Sequence, residues 1–592
     1  MIMKIINRSI PILFTLSLAA FAQQKESIPH AQEKISSEES YPVDARPYLE
    51  QFNKANGIDE AKLAKEQSLN KTNKTAWNFT VGSKGPYSSG WWVADLRTGA
   101  IPSFYIVPST CRAVGEHCYI FVEDSSWIDI NNKVNQTVVD SIRLAFDSRT
   151  PANPNKGVYQ TDVDAYGNVP DVDSDPKIII LLLNIRDGYK GSGGYVAGFF
   201  HSINEVNTTY SNKAEIYYLD CNPLPFLKQD GTINNSGLTT GMKTTAHEFQ
   251  HMIHWKYISN DETFFNEGWS LAAEVINGYS LYNQSYFVGE SNHYLLDWRY
   301  GDNTAVLRDY SRAARFSLYL KEQFGIAIFK NYLSRGISGV SGLNQYMTSV
   351  GSSKTFYSVL VDWWLANFLN ENVNYTHPEW AYTYTPITNV NPNVTYNDAN
   401  ISNGKTNGLY KYSAEYITFN SGKNLKINFN TSVDGYIQIK AIRVNGANKI
   451  IENVIPGVDY SVPDYSSVTF MIYHNNGNDG QTGPFIYSFN SSGITGVNES
   501  IELLPSSFSL DQNYPNPFNP ETVIRYQLPE GSLVSLKIYD VLGREVATLV
   551  NEFQLPGQYV KTFNGTSLPS GVYLYRLTSG NLVETKKMIL MK

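Results

Sequence analysis

The chain has 592 residues, 42% of them hydrophobic and 13% aromatic, enough apolar material for several buried cores and more than one domain. A formal net charge of −8, with no basic block, gives no support for nucleic-acid binding. Three cysteines are too few for a disulfide-built scaffold.

Residues 1–22 read as a secretory signal: Lys4 and Arg8 precede a short apolar run, and Ala20-Phe21-Ala22 offers a small-x-small cleavage site. The run is too short for a comfortable membrane span, and no other segment is apolar enough to form a transmembrane segment in the mature protein. Residues 23–75 are polar and weakly patterned, a flexible N-terminal extension or propeptide without a cysteine that could switch a metal site.

From Trp77 the pattern turns globular. Cys118 to Val122 reads as a strand, Val134 to Phe146 as an amphipathic helix, and Ile178 to Leu183 as a strand buried on both faces. Tyr195 to Phe200 and Glu215 to Leu219 are further strands, the first a candidate edge for a docked peptide. Cys111 and Cys118 flank a short loop and are expected to form a local disulfide, leaving Cys221 as a small buried residue. The alternating acids Asp162, Asp164, Asp171, Asp173 and Asp175 suggest either a solvated loop or a structural Ca²⁺ site, although neither register fits an EF-hand.

The next stretch, Thr244-Thr-Ala-His-Glu-Phe-Gln-His-Met-Ile-His-Trp255, contains His247-Glu248-x-x-His251. On a helix this spacing places both imidazoles on one face, one turn apart, where they can share an ion; the following carboxylate can act on a water bound to it. Met242, Ala246, Phe249, Met252 and Ile253 would bury one side of the helix, and Thr239 or Thr240 would cap its start. A catalytic zinc takes three protein ligands. Glu267, in a second amphipathic helix after 15 intervening residues, is the expected third; Asp261 and Glu274 are alternatives, and Glu274 could instead support an imidazole N–H. The metzincin pattern fails because positions 254 and 257 hold His254 and Tyr257.

His247-Glu248-x-x-His251 followed by Asn266-Glu267-Gly268 resembles the gluzincin group of zinc metallopeptidases, and the layout is similar to the hyicolysin-type bacterial proteases. The resemblance implies a zincin-like α+β catalytic domain, one catalytic Zn²⁺ bound by His247, His251 and Glu267, Glu248 as general base, and endopeptidase action on proteins or peptides. It also implies a Tyr or His for the oxyanion; Tyr282, Tyr286 and His293 are candidates.

Residues 300–372 read as helices at Ala313–Phe324, Ile326–Leu333, Leu343–Met347 and Thr355–Leu369, with Gly325 and Gly336 as stops and Trp363 and Trp364 in the core. Short alternating strands follow, at Leu425–Phe429, Tyr436–Ala441 and Val468–Tyr473. The motifs Asn513-Tyr-Pro-Asn-Pro-Phe-Asn-Pro520, Ile538-Tyr-Asp-Val-Leu-Gly-Arg-Glu545, Ser570-Gly-Val-Tyr573 and Lys587-Met588 resemble a type IX secretion C-terminal sorting domain, which implies recognition by that machinery and a location outside the cell. The expected order is a signal (1–22), the extension (23–75), a metallopeptidase domain with a mixed-sheet lobe and a helical lobe (76–375), and two all-β sandwich domains (376–500 and 501–592). The competing reading is a surface adhesin with an inactive zincin-like lobe.

Overall fold

A computed structural model describes residues 40–592 except 44, 60–61, 63–75, 98–102, 128–132, 229, 300–302, 374–375, 406–407, 432–435, 446–447, 475–482 and 496–506. The expected signal segment lies outside these residues, as does most of the extension. The chain forms two compact units that divide after Thr495.

The first unit begins with β1 (Ser40–Val43) and α1 (Arg46–Ala55), followed by β2 (Gly90–Ala94), β3 (Phe104–Val114), β4 (Cys118–Glu123), α2 (Gln136–Asp147) and α3 (Val158–Tyr166). Next come β5 (Ile178–Leu183), β6 (Gly193–Val196), β7 (Gly198–Phe200) and β8 (Ile216–Asp220). Six of these strands make one mixed sheet in the order β2-β3-β4-β5-β8-β7. The central strands β4, β5 and β8 run parallel, while β2, β3 and the edge strand β7 are antiparallel to their neighbours. All six β5 residues are buried. Pleating sends Ile178, Ile180 and Leu182 into one core and Ile179, Leu181 and Leu183 into the other, which is why the strand reads as an unbroken apolar run. Burial of each such side chain is worth roughly 2 kcal/mol before entropy is counted.

The first of these cores holds α2, α3 and the long helix α4 (Asn235–Tyr257), which packs beside α5 (Thr263–Ile276). Then follow α6 (Ser285–Val288), α7 (Asn303–Phe324), α8 (Ala327–Leu333), α9 (Gly339–Ser349) and α10 (Phe356–Leu369). Gly325, with φ of 77°, and Gly336, with φ of 65°, provide the left-handed turns after α7 and α8. Trp363 and Trp364 are buried, as expected.

Seven strands complete the first unit: β9 (Val394–Tyr396), β10 (Ile401–Lys405), β11 (Ala414–Thr431), β12 (Ile437–Asn445), β13 (Asn448–Val454), β14 (Tyr460–His474) and β15 (Tyr487–Thr495). They form one sheet rather than two separate ones. Phe470 pairs with Ile417 on β11, yet its ring lies 5.2 Å from that of Phe429, twelve residues further along the same strand. A straight strand would separate those positions by about 40 Å. The sheet therefore folds over on itself around the bend at Gly422–Asn424, where Asn424 has φ of 52°. Its outer face joins the helical core through Tyr416, Ile442 and Met471, and the Tyr416 hydroxyl donates to the Trp364 carbonyl at 2.7 Å.

In the second unit, Ser509–Leu510, Glu521–Leu528 and Gly557–Asn564 make a three-stranded sheet. Ser532–Asp540, Glu545–Gln554, Gly571–Ser579 and Leu582–Leu590 make a four-stranded one, and both bury a shared core that includes Tyr526, Leu536 and Tyr575. The molecule is thus a mixed sheet with helices followed by antiparallel sheets.

Several expectations change. The anticipated disulfide is absent: Cys111 lies in the core on one face of the sheet and Cys118 in the core on the other, and both are free thiols. α4 starts earlier than Thr239, with the Asn234 side chain as its cap, and the Thr240 hydroxyl bonds back to the Ser236 carbonyl inside the helix. Asp162 and Asp164 lie on α3 rather than in a loop. Ser40–Val43 and Arg46–Ala55, within the stretch expected to be flexible, form β1 and α1.

Candidate active site

α4 has a buried side in the core it shares with the sheet, α2 and α3, where Met252 and Ile253 are buried and Phe249 packs on Phe146 and Tyr159. Its opposite face carries His247 and His251, whose ring centroids are 4.8 Å apart. α5 runs alongside α4, and Gly268 lets it also pack closely on α7: a Cβ there would sit 2.4 Å from Ser317 Oγ and 3.3 Å from the Ala313 carbonyl oxygen. Glu267 of α5 reaches both imidazoles of α4.

Glu267 Oε2 lies 3.3 Å from His247 Nε2 and 3.6 Å from His251 Nε2. It is buried and has no hydrogen-bond partner. The other nitrogen of each ring is already engaged: His247 Nδ1 donates to Glu274 Oε1 at 3.0 Å and His251 Nδ1 to Asn266 Oδ1 at 2.6 Å. These acceptors fix the tautomers, so two imidazole lone pairs and a carboxylate oxygen point at a common space. Such a set repels itself unless a cation lies between the atoms, and the residues fit a zinc-type ion. Burial alone would raise the Glu267 carboxyl, but His251, His247 and Arg46 outweigh it and hold the group ionised well below its ordinary range. Burial drives His251 down to about 4. For His247, burial opposes the charged form, but Glu267 and Glu274 outweigh it and raise the ring well above its ordinary value as long as no cation is there; a cation would take the place of the Nε2 proton.

Glu248 borders the same space. One of its carboxylate oxygens accepts the Phe200 amide of β7 at 2.9 Å, which ties the helix to the edge strand. A cavity of about 190 Å³ opens here, lined by Gly198, Phe199 and Phe200, by Thr244, His247 and Glu248, and by Glu267 and Glu274. Tyr282 and Tyr310 stack at 5.4 Å on its wall. Arg46, from the N-terminal segment, reaches Glu267 Oε1 at 3.3 Å.

His247, His251, Glu248 and Glu267 are therefore brought together. Glu274 bonds an imidazole from behind, and Asp261 does not approach the site: its oxygens are taken by His254, Tyr332 and the Gly339 amide. Of the oxyanion candidates only Tyr282 lines the cavity; His293 pairs with Asp297 instead. The roles of Asn266, Tyr310 and Arg46 had no signal in the sequence beyond the adjacency of Asn266 to Glu267. The acidic run divides: Asp162 accepts from Asn277 and Asp164 pairs with Lys156, whereas Asp173 and Asp175 meet at Trp77, accepting from its indole and its amide, and Asp173 lies beside the buried Glu205 and Glu215. Among the described residues, His247, His251 and Glu267 are the group whose ligand atoms meet within 4.8 Å.

Residues 512–591 match the family described as the secretion system C-terminal sorting domain. Such a domain directs export by the type IX system to the cell surface or extracellular space. Over 314 residues, 49% of this chain, the sequence is 26% identical to the neutral metalloprotease ShpI of Staphylococcus hyicus; the match spans 60% of that protein's length. Among solved structures, the type-IX surface component PorZ of Porphyromonas gingivalis aligns at 21% identity over 19% of this chain and 14% of its own, with a TM-score of 0.11. A Faecalibacterium prausnitzii β-glucuronidase aligns at 9% identity over 30% of this chain and 37% of its own, with a TM-score of 0.12. At those scores neither bears on the fold. No helix among the described residues is long and apolar enough to cross a membrane. The chain is thus similar to a bacterial neutral metalloprotease over half its length and ends in a secretion-system C-terminal sorting domain.

Proposed function

We propose that the chain is an exported zinc-dependent endopeptidase, acting on extracellular proteins through a zincin-like domain at residues 76–375. In this reading residues 376–500 are an accessory β-domain, and residues 501–592 are recognised by the type IX machinery. The observation that carries it is the convergence of His247 Nε2, His251 Nε2 and Glu267 Oε2, each ring fixed from behind by its own acceptor. The similarity to a neutral metalloprotease supports the class.

When bound, zinc acidifies a water and polarises a carbonyl oxygen. Glu248 takes the proton from the attacking water and passes it to the leaving amine. The Phe200 amide orients that carboxylate, and the same edge, β7, receives the extended substrate. Tyr282 and Tyr310 offer phenol hydroxyls to the developing oxyanion.

The test is a casein digestion with and without chelator, together with metal analysis. Glu248→Gln is expected to retain zinc and lose about 10²–10⁴-fold in turnover, whereas His247→Ala loses both metal and activity. Equal proteolysis by wild type and Glu248→Gln would overturn the reading and leave a binding role.

A further inference from the structure

We propose that the first unit carries a second metal site, for a calcium-type ion, formed by the buried carboxylates of Asp173, Glu205 and Glu215. The site does not depend on the peptidase reading above. β5 and β8 both start at one end of the mixed sheet, and β7, antiparallel to β8, finishes there. Asp173 lies in the loop that leads into β5, Glu205 in the single 3₁₀ turn Ser202–Glu205 that follows β7, and Glu215 immediately before β8. Of the acidic run in the sequence, only Asp173 contributes.

Each of the three residues is 1% exposed. A carboxylate so far from water needs donors or a cation. Asp173 has donors, the Trp77 indole at 2.6 Å and the Asp175 amide at 2.8 Å. The Val172 amide donates to Glu215 Oε1 at 2.5 Å, but Glu215 Oε2 has no partner among the described residues. Neither oxygen of Glu205 has one. The charges Glu205 faces most strongly are those of Glu215 and Asp173, and Asp173 comes within hydrogen-bonding reach of Glu215. Lys256 of α4 stands nearby, but its ammonium donates to the Val169 carbonyl at 2.6 Å, and one lysine does not balance three acids.

The donor set is all oxygen, which suits a hard cation and not a zinc-type ion. Calcium holds its ligands at 2.3–2.6 Å, so oxygens on opposite sides of it stand about 4.6–5.2 Å apart. An ion of that reach spans a more open set than His247, His251 and Glu267, whose donor atoms meet within 4.8 Å. Binding would tie three loops together and fix the outgoing end of β7, whose Phe200 amide holds Glu248. The competing occupant is the proton: burial, together with the neighbouring acids, pushes the Glu205 and Glu215 carboxyls well above their ordinary range.

The experiment uses the full zinc-loaded chain dialysed free of calcium, with calcium chloride as the probe. Glu205→Gln and Glu215→Gln are compared with wild type and with Asp164→Asn, an exposed acid of α3, as control. Calorimetric titrations and thermal melts are read with and without calcium at constant zinc. Wild type and control are expected to bind calcium and to melt higher in its presence. Either glutamine should weaken binding about 100-fold or more. Without calcium, Glu205→Gln should melt at or above wild type, because a repelling carboxyl is gone; with calcium it should melt below. If Glu215→Gln does not fold, Glu205→Gln decides alone, since no hydrogen bond to Glu205 is lost. No calcium binding by wild type, unchanged affinity in the folded glutamine variants, or a Glu205→Gln deficit that is the same with and without calcium would overturn the site and leave a group of acids that share protons.

Discussion

At residue scale, the site depends on the groups behind its imidazoles. Glu274 sits on His247 and is itself paired with Lys243 at 2.8 Å; Asn266 sits on His251. Each fixes a tautomer, so Glu274→Gln and Asn266→Ala are each expected to weaken zinc affinity by about 10–100-fold, measured by competition with a chelating dye. Away from the site, Glu290 pairs with Arg299 at 2.7 Å and Arg308 at 2.8 Å. Burial opposes its ionisation, but the Arg299 hydrogen bonds and the two guanidinium charges outweigh burial and lower the carboxyl from 4.5 to about 2. Because the folded value is depressed, this stabilisation is present above pH 4.5 and is lost as pH falls toward 2. Glu290→Gln should remove roughly 3 kcal/mol of the pH-dependent stability in that window; denaturant melts between those pH values read it directly.

At the scale of elements, one glycine sets the distance between α4 and β7. A Cβ at Gly198 would lie 2.7 Å from Thr244 Cγ2, 2.8 Å from the Tyr218 carbonyl oxygen and 3.3 Å from Glu248 Cγ. The carbonyl belongs to the sheet ladder and cannot yield. Gly198→Val is therefore expected to push Glu248 out of line and lower turnover about a hundredfold while circular dichroism and zinc content remain those of wild type. The contact between Phe249 and Phe146, at 5.0 Å between ring centroids, holds the other side of α4. Phe249→Ala should cost about 3–5 kcal/mol in unfolding free energy.

At the scale of the whole molecule, the folded-over sheet of residues 394–495 shares a core with the helices, through Tyr416 against Trp364 and Phe368. A chain ending at residue 372 should therefore expose that apolar face and aggregate, whereas one ending at residue 495 should stay folded and retain any proteolytic activity. The longer of these two chains, lacking the sorting domain, should be found inside the outer membrane instead of on the surface or in the medium, as fractionation would show.

The His247-Glu248-x-x-His251 spacing, the apolar run of β5 and the sorting motifs were legible along the chain because each is a local pattern: one helical turn, one pleat, one turn-rich strand series. The same holds for α7 and α8, whose stops are the positive-φ glycines Gly325 and Gly336. Relations across the fold had no such record. The separation of Cys111 and Cys118 onto opposite faces, the division of the acidic run between Asn277, Lys156 and the group of Asp173, Asp175 and Glu215 at Trp77, and the capture of Asp261 by His254 follow from which strands and helices are neighbours. Glu267, proposed from its distance along the chain, meets the imidazoles because α5 packs beside α4. Arg46 meets Glu267 because β1 joins β6. Sequence determined the donor atoms and their local spacing; only tertiary structure decided which donors share a point in space, since close approach between distant segments is set by the shapes of the surfaces that bury one another.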